Sequence, residues 1–166
     1  MIKHKNIKLK NKDKILKTIE SILFDKHSLV ENGGSTFNYN FGSKIKNLKN
    51  IINSFKKLAG KNYYVLDFWS NVYKTNGYVK THNHYDPNSN LKNMKQLSGV
   101  YYFKQPEKSG KLVIENKGIP VKENDFILFD SKYNHYTKPN KSEKDKIVFS
   151  INLASRVEKY EWNKSK

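Results

Sequence analysis

A chain of 166 residues is long enough to bury a real core and short enough to be one domain. It has no cysteine, which removes disulfides, thiolate metal sites and thiol nucleophiles together. The formal net charge of +17 suggests a polyanion, yet 31 of the 32 basic side chains are lysine and the single arginine is Arg156. Sites that read phosphates and bases favour arginine's planar fork, so a nucleic acid is an admissible but not a favoured partner.

The basic run from Met1 to Lys17 intersperses Ile2, Ile7, Leu9, Ile15 and Leu16 with lysine. It lacks the unbroken apolar stretch of a signal peptide, which points to a soluble, intracellular, cytoplasmic protein with no membrane partner. Ile15, Ile19, Ile22, Leu23 and Phe24 recur at helical spacing, predicting a helix over Asp13 to Leu29 that Asn32-Gly33-Gly34-Ser35 then breaks. A second helix is predicted over Lys44 to Leu58, with Gly60 at its exit.

From Tyr63 the chain changes to short β-branched and aromatic runs. Strands are expected near Tyr63 to Tyr73, Tyr78 to His84, Leu97 to Lys104, Lys111 to Asn116, Phe126 to Asp130, His135 to Thr137 and Lys146 to Leu153, with a further short one over Val157 to Trp162. Asn76-Gly77, Ser109-Gly110, Lys117-Gly118 and Lys138-Pro139 read as the turns between them. The expected architecture is mainly β with flanking helices: one domain over 1–166, in which 1–60 form a helical support and 61–166 a barrel.

Three of the five histidines fall in two short stretches, His82-Asn83-His84-Tyr85-Asp86 and Asn134-His135-Tyr136. Side chains at i and i+2 of an extended segment point the same way, so two neighbours can share one ion while a third ligand arrives from a distant strand. Two imidazoles and a carboxylate on one face of a metal is the ligand set of non-haem Fe(II) oxygenases.

The order of motifs is more specific than any one of them. Phe68-Trp69-Ser70-Asn71-Val72-Tyr73, Gly77, His82-Asn83-His84, Leu97-Ser98-Gly99-Val100-Tyr101-Tyr102, Gly110, Phe126 to Ser131, His135 and Lys146 to Asn152 follow one another. In this order they resemble the 2-oxoglutarate and Fe(II)-dependent oxygenases, in particular a bacterial and phage branch, and more distantly the prolyl hydroxylases. The resemblance covers about residues 63 to 153. It implies a double-stranded β-helix, a jelly-roll of cupin-like form, and a dioxygenase that uses Fe(II), 2-oxoglutarate and O2 and releases succinate and CO2. It also implies a basic residue after the distal histidine that grips the far carboxylate of 2-oxoglutarate. Lys146, 11 residues after His135, stands there in place of the usual arginine.

By the same resemblance Tyr102 is a second partner for that carboxylate, Tyr73 and Asn71 are candidates for the end nearer the metal, and Asn152 is a further cofactor-binding candidate. The ligand set stays open between two readings. His84, Asp86 and His135 supply the usual anionic ligand and are favoured on that ground. Alternatively, the nine-residue interval from Tyr73 to His82 matches the family's tyrosine-to-ligand spacing and makes His82 the first ligand.

Asp86-Pro87-Asn88 is also an ordinary turn sequence, Trp69 is expected in the core, and His4 and His27 receive no role. Pro87 to Gln96 is a loop suited to cover a substrate or to do nothing. A peptidyl or free amino acid, prolyl among them, is the first expectation for the primary substrate, with another metabolite next. The rival readings are a cupin-like metalloenzyme that does not use 2-oxoglutarate and a non-catalytic basic module that binds nucleic acid.

Overall fold

The computed structural model describes residues 2–85, 91 and 94–155. In chain order the elements are β1 (Ile2–Asn6), α1 (Lys12–Glu20), β2 (Asp25–His27), β3 (Val30–Ser35), α2 (Ile45–Ala59), β4 (Tyr63–Val79), β5 (Gln96–Lys104), β6 (Leu112–Ile114), β7 (Lys117–Ile119), β8 (Asp125–Asp130), β9 (His135–Thr137) and β10 (Lys146–Ser155). A seven-stranded sheet has the order β1-β8-β5-β10-β4-β3-β2, and a three-stranded sheet the order β7-β6-β9. This is the expected double-stranded β-helix, but the two helices do not stand ahead of all its strands: β1 precedes α1, and β2 and β3 lie between α1 and α2.

Strands β5, β8 and β10 are buried on both faces, which is why they read as nearly continuous apolar runs. One face, with Leu97, Tyr101, Phe103, Phe126, Leu128, Phe149 and Ile151, joins Ile15 and Ile19 of α1 and Leu48, Ile51 and Phe55 of α2 in one core. The other, with Tyr102, Ile127, Phe129 and Val148, turns inward with Leu112 and Ile114 of the small sheet. The helices brace the large sheet from outside and leave its inner face to the site.

Several boundaries differ from expectation, each for a local reason. The first helix stops at Glu20, where the Ser21 N–H returns to the Lys17 carbonyl and the Ser21 hydroxyl donates to the Thr18 carbonyl. The chain then forms the β2–β3 hairpin where a helix end and a break were expected. Gly33 and Gly34 lie inside a strand because a Cβ at Gly33 would meet the Val72 carbonyl oxygen at 2.1 Å, so glycine lets β3 lie against β4.

The two strands expected over Tyr63 to His84 are one strand, β4, which ends at Val79. Asn76-Gly77 does not reverse it. The pairing with β3 jumps from Glu31–Tyr78 to Gly33–Tyr73, and the bulged residues are tied to Asn140, which accepts from the Asn76 N–H and donates to the Gly77 carbonyl. Lys117-Gly118 lies in a strand, and the hairpin turns one step earlier at Glu115-Asn116, both with positive φ. Strand β1, absent from the sequence reading, pairs with β8; its mostly exposed, lysine-rich sequence shows no buried periodicity. The strand expected over Val157 to Trp162 lies outside the described residues.

Gly99 of β5 is where Phe55 presses on the sheet: a Cβ there would come within 2.6 Å of the phenyl ring. Gly99→Ala is therefore expected to destabilise the fold by about 1–3 kcal/mol through overpacking, as read by urea unfolding. A change within experimental error would show that α2 can move aside.

Candidate active site

The backbone brings the two histidine stretches together. His82 and His135 form an antiparallel bridge, exchanging N–H···O=C bonds of 3.1 and 2.9 Å, and the His84 N–H bonds the Ser131 carbonyl at 3.0 Å. Three imidazoles thereby face one another, with ring centroids 4.3 Å apart for His82 and His135, 4.8 Å for His82 and His84, and 5.1 Å for His84 and His135. One nitrogen from each lies within 4.8 Å of the others, close enough to hold one ion.

Two of these rings are oriented from behind. His82 Nδ1 lies 2.7 Å from the Lys80 carbonyl and His135 Nδ1 lies 3.1 Å from the Tyr133 carbonyl. A carbonyl can only accept, so each Nδ1 carries the proton and each Nε2 keeps its lone pair. Burial pushes the pKa of all three rings down: His84, also opposed by charge on His135 and His82, to about 3, and His135, also opposed by His82, to about 4. At neutral pH they are uncharged donors, the form a cation requires. Imidazole nitrogen suits iron among other transition metals, so this donor set fits Fe(II). Asp86 lies outside the described residues.

The cluster opens on a cavity of about 260 Å³ between the sheets. Inward positions follow from register: Lys146 lies opposite Tyr73, Val148 opposite Asn71 and Tyr102, and Ser150 opposite Trp69 and Val100. At one end Lys146 is buried, 1% exposed, its ammonium donating to the Gly110 carbonyl at 2.6 Å and lying 5.6 and 5.4 Å from the ring centres of Tyr73 and Tyr102. No carboxylate neutralises it among the described ion pairs. Burial pulls its pKa down to about 7.

The same burial raises Tyr73 to about 12 and Tyr102 well above its ordinary value, so both phenols keep their protons. The Tyr73 hydroxyl accepts from Asn71 Nδ2 at 3.1 Å, leaving its own proton to donate. The Tyr102 hydroxyl and Asn71 Oδ1 are buried with no partner among the described residues. An ammonium bonded to a neutral carbonyl, beside two phenolic protons with no acceptor among the described residues, makes a cradle for an anion. Tyr73 belongs to this end, beside Lys146, and not to the metal end as expected, because the β4–β10 register pairs the two residues.

At the other end Asn152 is buried and accepts from the Ser98 hydroxyl at 2.9 Å. Trp69, expected in the core, is buried but lines the cavity with its ring 5.4 Å from that of His84. Several lining residues carry no site signal in the sequence, two of them in one segment. His27 and Phe37, from the β2–β3 hairpin and the residues after it, extend the wall outward; nothing marked them, because that segment read as helix and break. The loop from Pro87 to Gln96 falls largely outside the described residues.

The fold's relatives bear on which chemistry this is. Residues 68–154, more than half the chain, match the sequence model of the 2OG-Fe(II) oxygenase superfamily. The chain belongs to this superfamily.

It is therefore a 2-oxoglutarate-dependent oxygenase, with iron(II) as cofactor and 2-oxoglutarate and O2 as co-substrates. Among solved structures, it is similar to the viral collagen prolyl hydroxylase of Paramecium bursaria Chlorella virus-1 in complex with 2-oxoglutarate, at 18% identity over 93% of this chain and 96% of that one, with a TM-score of 0.64. HygX of Streptomyces hygroscopicus, solved with nickel, 2-oxoglutarate and hygromycin B, matches at 7% identity over 94% and 83%, with a TM-score of 0.71. A prolyl-4-hydroxylase of Pseudomonas putida matches at 12% identity over 93% and 92%, with a TM-score of 0.57. No curated protein matches by sequence. Among the described residues no helix is long and apolar enough to cross a membrane.

The uncompensated ammonium has a consequence for stability. The lowered pKa of Lys146 means that through the alkaline range up to 10.5 the unfolded chain binds a proton the folded chain does not, so this group makes stability rise with pH there. At acidic and neutral pH its full burial cost is present. Lys146→Met is expected to stabilise the ligand-free protein at neutral pH by about 1–4 kcal/mol, an advantage that shrinks as pH rises, and to abolish 2-oxoglutarate binding. Urea unfolding at several pH values and calorimetry check both; a variant that is less stable and still binds would contradict the account.

Proposed function

We propose that His82, His84 and His135 hold the iron, that Lys146 with Tyr73 and Tyr102 receives the distal carboxylate of 2-oxoglutarate, and that the enzyme hydroxylates a peptidyl or amino-acid substrate, prolyl among the candidates. The observation that carries the reading is the convergence of three neutral imidazole nitrogens at a cavity whose other end is lined by Tyr73 and Tyr102, with the buried Lys146 ammonium against their rings and no counter-ion for it among the described residues. Two of the similar structures are prolyl hydroxylases, which supports a peptidyl substrate as the first one to test.

The bound iron and 2-oxoglutarate supply an oxidant strong enough for an unactivated C–H bond, with succinate and CO2 as co-products. The chain's own residues do the rest. Lys146 replaces the water lost by the carboxylate with a fixed charge, and the phenols of Tyr73 and Tyr102 donate to its oxygens. Binding an anion at Lys146 favours its protonated form, so co-substrate affinity is expected to fall as the solution turns alkaline. The Lys80 and Tyr133 carbonyls hold His82 and His135 in the tautomer that leaves Nε2 free. The apolar strands around the cavity exclude bulk water, which keeps the oxidant from being spent on solvent.

Anaerobic protein with Fe(II) and 2-oxoglutarate together is expected to show a visible charge-transfer band that neither gives alone. His135→Ala and His82→Ala should each abolish the band, Lys146→Ala should abolish it at ordinary 2-oxoglutarate concentrations, and Asp86→Ala should retain it. Loss with Asp86→Ala but not with His82→Ala would restore the ligand set containing the carboxylate. A Lys146→Ala protein that binds 2-oxoglutarate normally would favour a cupin-like metalloenzyme.

A further inference from the structure

The rim of the cavity remote from Lys146 carries a carboxylate. Asp67 pairs with Asn152 across β4 and β10, and alternation sets it on the face of β4 that bears Trp69, Asn71 and Tyr73. It accepts hydrogen bonds from the side chain and the backbone of Asn152, which lines the cavity. Asp67 is open to solvent, yet the strands around it desolvate it enough to raise its pKa against the pull of those two bonds. A carboxylate so placed gains more from a nearby cation than one surrounded by water.

A directed series of hydrogen bonds holds this carboxylate. While the Asn152 amide donates to Asp67, its Oδ1 accepts from the Ser98 hydroxyl at 2.9 Å. Ser98 has one proton to give, so the Ser131 hydroxyl, 2.9 Å away, is the donor in their contact. Ser131, Ser98 and Asn152 are buried, and each of these protons points toward Asp67. The negative end of a buried polar series thus emerges at the rim.

One rung inward, about 7 Å along the strand, stands Trp69 with Ser150 opposite it. Ser150 is 8% exposed and lines the cavity, and its hydroxyl has no hydrogen-bond partner among the described residues. The Trp69 ring lies 5.2 Å from that of Phe37 on one side and 5.4 Å from that of His84 on the other. A carboxylate, an indole face and a free hydroxyl on adjacent rungs are the groups that recognise an ammonium, through its charge and through its N–H donors.

We propose that the primary substrate carries an ammonium group, received at the rim by the Asp67 carboxylate, the Trp69 ring and the Ser150 hydroxyl while its reacting C–H points inward to the metal. This rests on the reading above in which Lys146 anchors 2-oxoglutarate, which leaves the opposite end for the substrate. Asp67 lies roughly 20 Å along β4 from Tyr73, the residue paired with Lys146, so opposite charges at opposite ends keep a dianionic co-substrate and a cationic substrate apart. The net charge of +17 opposes a cation at long range, but charges more than about 8 Å away are largely screened at physiological salt, and the local carboxylate decides. Asp67 and Ser150 are thus specificity-determining residues.

The test is calorimetric titration, at neutral pH, of the anaerobic enzyme carrying Fe(II) and 2-oxoglutarate with two pairs of probes, each pair differing by one acetyl group and hence one charge. They are L-prolinamide against N-acetyl-L-prolinamide, and Nα-acetyl-L-lysinamide against its Nε-acetylated form. At least one ammonium probe is expected to bind, with its acetylated partner about tenfold weaker or worse. Which pair discriminates tells an ammonium beside the peptide backbone from one on a side chain. Asp67→Asn should remove the discrimination, and Ser150→Ala should weaken the ammonium probe about threefold, both with 2-oxoglutarate affinity unchanged. If Asp67 only ends the buried hydrogen-bond series, Asp67→Asn lowers stability in urea and leaves the discrimination intact, which would overturn the proposal. So would an acetylated probe that binds as tightly as its ammonium partner, or no saturable binding of either ammonium probe. Normal 2-oxoglutarate binding in the same samples would show that the catalytic assignment survives such a failure; loss of that binding in the unsubstituted enzyme would show that the assignment itself has failed.

Discussion

Two reciprocal hydrogen bonds between the backbones of His82 and His135 hold this site in place. They join the segment leaving the long strand β4 to the first residue of β9, and so bring the large sheet to the small one. Because the pair is antiparallel and in register, the two side chains rise on the same side, and His84, two residues on, rises with them. Without that bridge the cluster would be three unrelated histidines on two loops.

The inner faces of β4, β5 and β10 then grade the cavity from one chemistry to another. Along β10 the inward residues are Lys146, Val148, Ser150 and Asn152, a cation, an apolar spacer and two neutral polar groups. Pleating alone produces this order, since alternate residues share a face. The outward residues Ile147, Phe149 and Ile151 meanwhile pack on the helices, so the strand that carries the site also carries the core. An anion bound at Lys146 would offset the cost of burying it without a carboxylate, so the role proposed for Lys146 sets stability against function at this one residue.

Much of this was legible in the sequence, for identifiable reasons. The i, i+2 spacing of His82 and His84 marked a shared face, and the apolar runs Leu97 to Phe103 and Ile147 to Leu153 marked strands buried on both sides. The second helix was legible from its single stripe and from Gly60, which ends it with φ of 128°. What failed was whatever depended on close contact with something distant. Gly33-Gly34 is a strand against β4 that looks like a break, Asn76-Gly77 is a bulge held by Asn140 that looks like a turn, and β1 has almost no buried side chain to betray it. Those failures hid His27 and Phe37, which reach the cavity wall because the β2–β3 hairpin pairs back onto β4.

The most direct measurement is an X-ray absorption spectrum of the anaerobic Fe(II) enzyme with 2-oxoglutarate bound, recorded for the parent and for His82→Ala. The account predicts three imidazole scatterers around the iron in the parent and a loss of histidine ligation in the variant. An iron with two imidazoles and a protein carboxylate, unchanged by removal of His82, would contradict it.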